Sequence, residues 1–150
     1  MAAIDYVGIR NTMKTLLDAD ALTNTARIYV EEEPQFGLSD EPAIAMFMDS
    51  RSANGPDQSL SQGKRTRYKL RMSFWVLFFS LESYKAACDG RDALLANLEL
   101  VLMSNRTIGD KVTTSWLEGG EMFSARHPQS SMFTAAAEVI LVAEVSAINT

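Results

Sequence analysis

The segment between Arg67 and Glu121 constrains the fold more than any other part of the sequence. It opens with the alternating stretch RYKLRMSFWVLFFS, continues through YKAACDGRDALLANLELVLM and closes with NRTIGDKVTTSWLEGGEM. Alternation with a period of two indicates a strand, and apolar residues at i, i+3 and i+4 indicate an amphipathic helix. The segment therefore predicts a strand, a helix and a second strand, and it contains no motif that carries chemistry.

The two faces of the first of these strands differ. The even-numbered face is apolar throughout, with Tyr68, Leu70, Met72, Phe74, Val76 and Phe78. The odd-numbered face begins basic and ends apolar, in the order Arg67, Lys69, Arg71, Ser73, Trp75, Leu77 and Phe79. Such a strand begins with one face exposed and ends buried on both, near the centre of a sheet.

The helix that follows has a continuous apolar stripe. Ser80 is its expected N-cap, because a serine side chain can accept a hydrogen bond from the first-turn backbone. The stripe consists of Tyr84, Ala87, Cys88, Leu94, Leu95, Leu98, Val101 and Leu102. This pattern predicts a helix that lies across the sheet.

The remaining segments complete an α+β pattern. The expected elements are a helix over 4–18, strands over 26–33 and 42–49, the strand and helix above, and strands over 111–118 and 132–145. Gly119-Gly120 is a hairpin signal, so the residues after it are expected to return antiparallel to strand 111–118. The order predicts one α+β domain over residues 1–150, with a mainly antiparallel sheet and helices packed on one side.

Residues 50–66 read as a long polar loop. Their sequence, SRSANGPDQSLSQGKRT, contains Asn54-Gly55-Pro56 and no apolar periodicity. Loops longer than about 12–15 residues are uncommon in compact domains unless they are functional or disordered. Two interpretations stay open: a floppy insertion, or a segment that orders against a partner.

Composition excludes several functional classes. The net charge of −5 argues against a protein that wraps nucleic acid with its whole surface. The single cysteine, Cys88, rules out an internal disulfide and fits a reducing cytoplasm. No signal peptide is visible at the N-terminus, and the apolar runs are too short or too charged to span a membrane as a helix. We expect a protein without a membrane partner.

The candidate reactive residues favour no enzyme. His127, the one histidine, precedes Pro128 in an expected turn, without metal ligands at a suitable spacing. Cys88 falls on the apolar stripe, which favours a small core residue over a nucleophile. Gly119-Gly120 lacks the spacing and the lysine of a phosphate loop. We expect no catalytic activity, no cofactor and no metal.

A basic row stands out from this background. It falls at a spacing of two and consists of Arg65, Arg67, Lys69 and Arg71. A solvated sheet edge, or pairing with Glu31 and Glu33 on a neighbouring strand, would explain it without function. The functional interpretation is contact with an acidic protein or with nucleic acid. A small nucleic-acid-binding module using strand 64–71 is the weaker option, because Tyr68 and Phe74 lie on the opposite face and cannot stack on bases there.

The order of segments and several phrases resemble the tail terminator proteins of long-tailed bacteriophages. The resemblance covers most of the chain and has no invariant motif. It is carried by VGIRNTMKTLL, the polar loop before YKLRMSFWVLF, SYKAACDGRDALLANLELVL, NRTIGDKV, TTSWLEGGEM and FTAAAEVILVAEV. Neck and tail-completion proteins share such α+β units.

The resemblance implies a homohexameric ring that caps the finished tail tube, stops its polymerisation and joins it to the head connector or neck. DNA would pass through the ring only as cargo, and the virion would assemble in the host cytoplasm. We expect the 50–66 loop and the basic row to contact a neighbouring subunit or the tube. The expected acidic counterpart across a subunit interface is Glu31, Glu32 and Glu33.

Overall fold

The computed structural model describes residues 3–32, 42–53, 65–126 and 133–148. These ranges contain two helices and six strands. In chain order they are α1 (Tyr6–Ala19), β1 (Arg27–Val30), β2 (Ala43–Ala53), β3 (Arg65–Ser80), α2 (Tyr84–Ser104), β4 (Thr114–Glu118), β5 (Met122–Arg126) and β6 (Phe133–Ile148). The predicted α+β class is confirmed.

The six strands form one sheet in the order β1-β2-β3-β6-β4, with β5 also paired to β6. β1 runs parallel to β2, and every other described pair is antiparallel. β3 and β6 pair along their whole 16-residue length, from Arg65 opposite Ile148 to Ser80 opposite Phe133. β3 is therefore a central strand, as its sequence predicts.

Both helices pack on one face of this sheet. The even-numbered residues Leu70, Met72, Phe74 and Val76 of β3 are buried in the core that the helices share, and Tyr68 is partly buried there. α1 contributes Ile9, Met13 and Leu17 to the same core, and α2 contributes Leu94, Leu98, Val101 and Leu102. The expected arrangement of helices on one side is confirmed.

Local capping fixes where the helices begin. The Asp5 carboxylate accepts a hydrogen bond from the Gly8 backbone N–H at 2.9 Å, which caps α1. Ser83 caps α2 in the same way, through a bond from the Ala86 N–H at 3.0 Å. The predicted N-cap at Ser80 is wrong, because Ser80 still belongs to β3 and its hydroxyl accepts the N–H of Glu82.

The strands around the predicted polar loop differ from expectation. β1 ends at Val30 rather than 33, because Glu31 has a left-handed backbone with φ of 57°. β2 extends to Ala53 instead of 49, since its polar end still pairs with β3. The loop prediction is wrong at 50–53 and 65–66, which are strand residues, and 54–64 lie outside the described residues.

The expected hairpin at Gly119-Gly120 is wrong. β4 and β5 do not pair with each other; both run antiparallel to β6 along its free side. Glu118 lies opposite Ile140 and Met122 opposite Ala137, so three residues bridge a gap of two. The two strands thus form one edge interrupted by a bulge. β4 starts at Thr114, three residues inside its predicted start, and β6 continues to Ile148, three residues beyond its predicted end.

Candidate partner-binding surface

The face of the sheet opposite the helices carries the predicted basic row. We call it the open face and define it by the odd-numbered residues of β3 with their neighbours across β6, β4 and β5. Neither described helix covers it. It has a basic half near the start of β3 and an apolar half near its end.

In the basic half, two of the three described cations are paired. Arg71 Nη2 lies 2.9 Å from Glu118 Oε2, and Arg67 Nη1 lies 4.0 Å from Glu144 Oε1. The Lys69 ammonium sits over the Trp116 ring, 6.0 Å from its centroid. These carboxylates neutralise much of the positive charge of the row.

The structure places Arg67, Lys69 and Arg71 on one face, as predicted, while nothing is described of the Arg65 side chain. An explanation of the row as a solvated sheet edge is wrong, because β3 has β2 on one side and β6 on the other. Carboxylates do pair with it, but they come from β4 and β6. The spacing of residues within β3 does not reveal these partners, because the register of distant strands brings them there.

A buried polar contact separates the two halves. Ser73 is 8% exposed, and its hydroxyl donates a hydrogen bond to Glu138 Oε2 at 3.0 Å. The bond crosses from β3 to β6 and satisfies both groups on the open face.

The apolar half presents aromatic rings. Trp75 stacks on Phe123 with centroids 5.6 Å apart and an interplanar angle of 23°. Leu77 and Phe79 are buried beside them, which confirms that β3 ends buried on both faces. Phe123 is 45% exposed and Trp116 is 37% exposed, so each end of the open face keeps one accessible aromatic ring. Aromatic residues and arginine are enriched in protein–protein interfaces, so this combination is typical of a surface that binds another protein.

The acidic run lies apart from the basic row. The Glu31 carboxylate accepts the Met48 backbone N–H at 2.7 Å and lies 3.8 Å from Arg10 Nη1. Glu32 is exposed, and Glu33 lies outside the described residues. Within the described ranges, neither Glu31 nor Glu32 forms an ion pair with the basic row. Glu31 therefore does not supply the intramolecular partner considered from the sequence, and the same prediction for Glu33 falls outside the described residues.

The described residues bring together no group of three His, Cys, Asp or Glu side chains that could hold a metal ion. Cys88 is partly buried on α2, and His127 lies outside the described residues. Over the same ranges, neither helix is long and apolar enough to cross a membrane.

Comparison with known proteins finds a solved structure with a similar fold. No protein-family model and no curated protein matches this sequence. Among solved structures, the fold is similar to that of a chain in the virion of a native gene transfer agent particle, with a TM-score of 0.51 and 14% identity. The match covers 97% of this chain and 100% of that one. At this identity the likeness concerns the fold.

Proposed function

We propose that this protein is a structural component of a virion and acts there as a tail terminator. In this role six copies form a ring that caps the tail tube, stops its polymerisation and joins it to the head connector or neck. DNA passes through the ring as cargo. The ring works in the tail or neck of a virion assembled in the host cytoplasm.

The open face carries this proposal. Its paired basic half adjoins exposed aromatic rings, while the described residues assemble no metal cluster. A surface of this composition suits binding to another protein. The similarity of the whole fold to a virion chain supports the same class, and a net charge of −5 suits a lumen that must release DNA.

Native mass spectrometry and electron microscopy of the purified chain test the ring. We expect a species of about 100 kDa, six times the 16.6 kDa chain, or rings at the ends of tail tubes, because heterologous contacts close into rings. A chain that stays monomeric and never associates with tubes contradicts the proposal.

Charge reversal tests the basic half as a contact with a neighbouring subunit or the tube. In the double variant Arg67→Glu/Lys69→Glu we expect the monomer to fold but tail joining to be lost. The two new glutamates would repel the acidic surface that the basic row is expected to contact. The control is Lys14→Glu/Lys85→Glu, which makes the same change in net charge in exposed positions on the two helices. Normal virion assembly by the first variant would sink this assignment.

A further inference from the structure

Arg51, outside the basic row, is held in place at the edge of the sheet. A bulge after Met48 shifts the phase of β2, so Arg51 lies opposite Leu70 on the helix side. Its guanidinium stacks over the rings of Tyr68 and Tyr6, at 5.4 and 5.9 Å from their centroids. Arg51 Nη1 also donates a hydrogen bond to the Tyr6 hydroxyl at 3.2 Å. The side chain is therefore preorganised before any partner arrives.

The positive charge of Arg51 is not paired with a carboxylate in the described residues. By contrast, Arg10, Arg67, Arg71 and Arg91 each lie beside a carboxylate. An arginine carries five N–H donors, and Tyr6 occupies one of them. The unused donors are those available to an incoming carboxylate.

Arg51 lines a cleft of about 330 Å³ on the β1 side of the sheet. Met48 and Leu70 line it with apolar surface, and Asp49 lines it without forming an ion pair with Arg51. β1 ends opposite Met46, so no described strand pairs with the outer side of β2 beyond that point. Among the described residues, the cleft thus lies at an unpaired edge of the sheet, where Arg51 is exposed.

The opposite edge of the sheet has an acidic notch. It lies where the bulge interrupts the β4–β5 edge beneath α2, has a volume of about 350 Å³ and includes Glu99, Glu118 and Glu138. Glu118 pairs with Arg71, and Glu138 accepts the Ser73 hydroxyl. Glu99 makes no hydrogen bond or ion pair with any residue in the described ranges. Leu95 and exposed Met122 add apolar surface to the same notch.

We propose that Arg51 of one copy docks into the acidic notch of the next copy and pairs there with Glu99. The inference rests on the proposed ring and names its subunit contact. The two features are complementary in charge, and each combines a charged group with apolar lining. They lie at opposite edges of one sheet, so the contact is heterologous and repeats in one sense around a ring. Arginine and tyrosine are the side chains on which interface affinity most often depends.

Charge exchange tests this contact. Arg51→Glu and Glu99→Arg should each weaken ring formation by roughly tenfold or more in native mass titrations, because each places like charges in contact. The combined variant Arg51→Glu/Glu99→Arg should restore rings, since it exchanges the two charges. Glu99→Gln, which removes charge with little change in shape, should weaken assembly in the same direction.

Circular dichroism on each variant separates lost assembly from lost folding. Rings from both folded single variants at the wild-type concentration would overturn the contact while leaving the tail terminator proposal standing. A folded double variant that fails to recover would also overturn the pairing. A wild-type chain without rings, in solution and on tube ends, would overturn both proposals.

Discussion

Glu31 ends β1 through its backbone conformation and accepts a hydrogen bond from β2 through its side chain. Its left-handed backbone, with φ of 57°, stops β1 at Val30. Its carboxylate then accepts the Met48 N–H, a bond that a continued β1 would have supplied through a carbonyl. An exposed acidic residue therefore has a local structural function, independent of any role at a subunit interface.

Asp5 gives the protein a pH-dependent helix cap. The hydrogen bond from Gly8, opposed by desolvation and aided by Lys111, holds the pKa of Asp5 below its ordinary value of 3.8. A lowered folded-state pKa means that the carboxylate stabilises the fold above the unfolded value and that this contribution is lost as pH falls through the folded value.

We therefore expect Asp5→Asn to lower the denaturation midpoint at pH 7 and to match the wild type once the pH is well below 3.8, because asparagine keeps the cap without the charge. Asp5→Ala should be less stable than either at both pH values, because it removes the cap. Urea unfolding at both pH values measures the difference. A constant gap between wild type and Asp5→Asn would contradict the charge effect.

Arg91 is a buried cation that joins α2 to the edge of the sheet. It is 8% exposed; its Nη1 donates to the Phe123 carbonyl at 3.1 Å and its Nε to Asp92 at 2.9 Å. Arg91→Met should lower the free energy of unfolding by about 1–3 kcal/mol, because these charge-assisted bonds are lost. Chemical denaturation measures this loss. Lys85→Met on the exposed side of α2 is the control, and it should change the free energy of unfolding much less. Equal effects of the two substitutions would contradict the anchoring role of Arg91.

At the scale of elements, the bulge between β4 and β5 brings the chain very close to β6. Gly120 passes so close to β6 that an added Cβ would lie 1.9 Å from the Glu138 carbonyl oxygen. Gly119 has open space around the same position. The two adjacent glycines therefore have different roles, and the close approach of the chain requires Gly120.

This difference gives a matched pair of variants. Gly120→Ala should lower the free energy of unfolding by about 1–3 kcal/mol, because the backbone of the edge must move away from β6. Gly119→Ala should leave it unchanged or raise it by up to ~1 kcal/mol, through the smaller entropy of the unfolded chain. Thermal and urea denaturation compare them directly. Equal losses in both variants would mean that the bulge is not held by this contact.

Strong periodic patterns predict the central elements, and competing contacts decide the others. The apolar stripe and the alternation are enough to predict α2 and the core of β3. The polar end of β2 gives no such signal, because its strand form depends on hydrogen bonds to β3 around Leu70. The hairpin signal at Gly119-Gly120 is local. β4 and β5 instead both form hydrogen bonds with the long strand β6.

The candidate site was predictable in part for the same reason. Period-two spacing places Arg67, Lys69 and Arg71 on one face. Their partners Glu118 and Glu144 depend on the register of distant strands, which spacing within β3 does not encode. Arg51 depends on a bulge that shifts the phase of β2, so simple alternation assigns it to the wrong face.

At the scale of the whole molecule, the charge pattern argues against DNA binding. The net charge is −5, and Arg67 and Arg71 are paired with carboxylates. We expect no gel shift of duplex DNA or single-stranded RNA at roughly micromolar protein in about 0.15 M salt, where weak surface attraction is screened. A shift that disappears as salt increases, and that Arg67→Glu/Lys69→Glu abolishes, would favour the nucleic-acid-binding alternative.

The full-length pairing of β3 with β6 also governs how the protein is made. All of α2, β4 and β5 lies between these two strands in the sequence, so the longest ladder of the sheet joins distant segments. Contacts of this kind form slowly. During synthesis β3 is complete well before β6. The backbone hydrogen-bonding groups of β3 that pair with β6 in the fold therefore stay unpaired at first. Until the ribosome has synthesised β6, this side of β3 stays unpaired. In that interval β3 can associate with other nascent chains and aggregate.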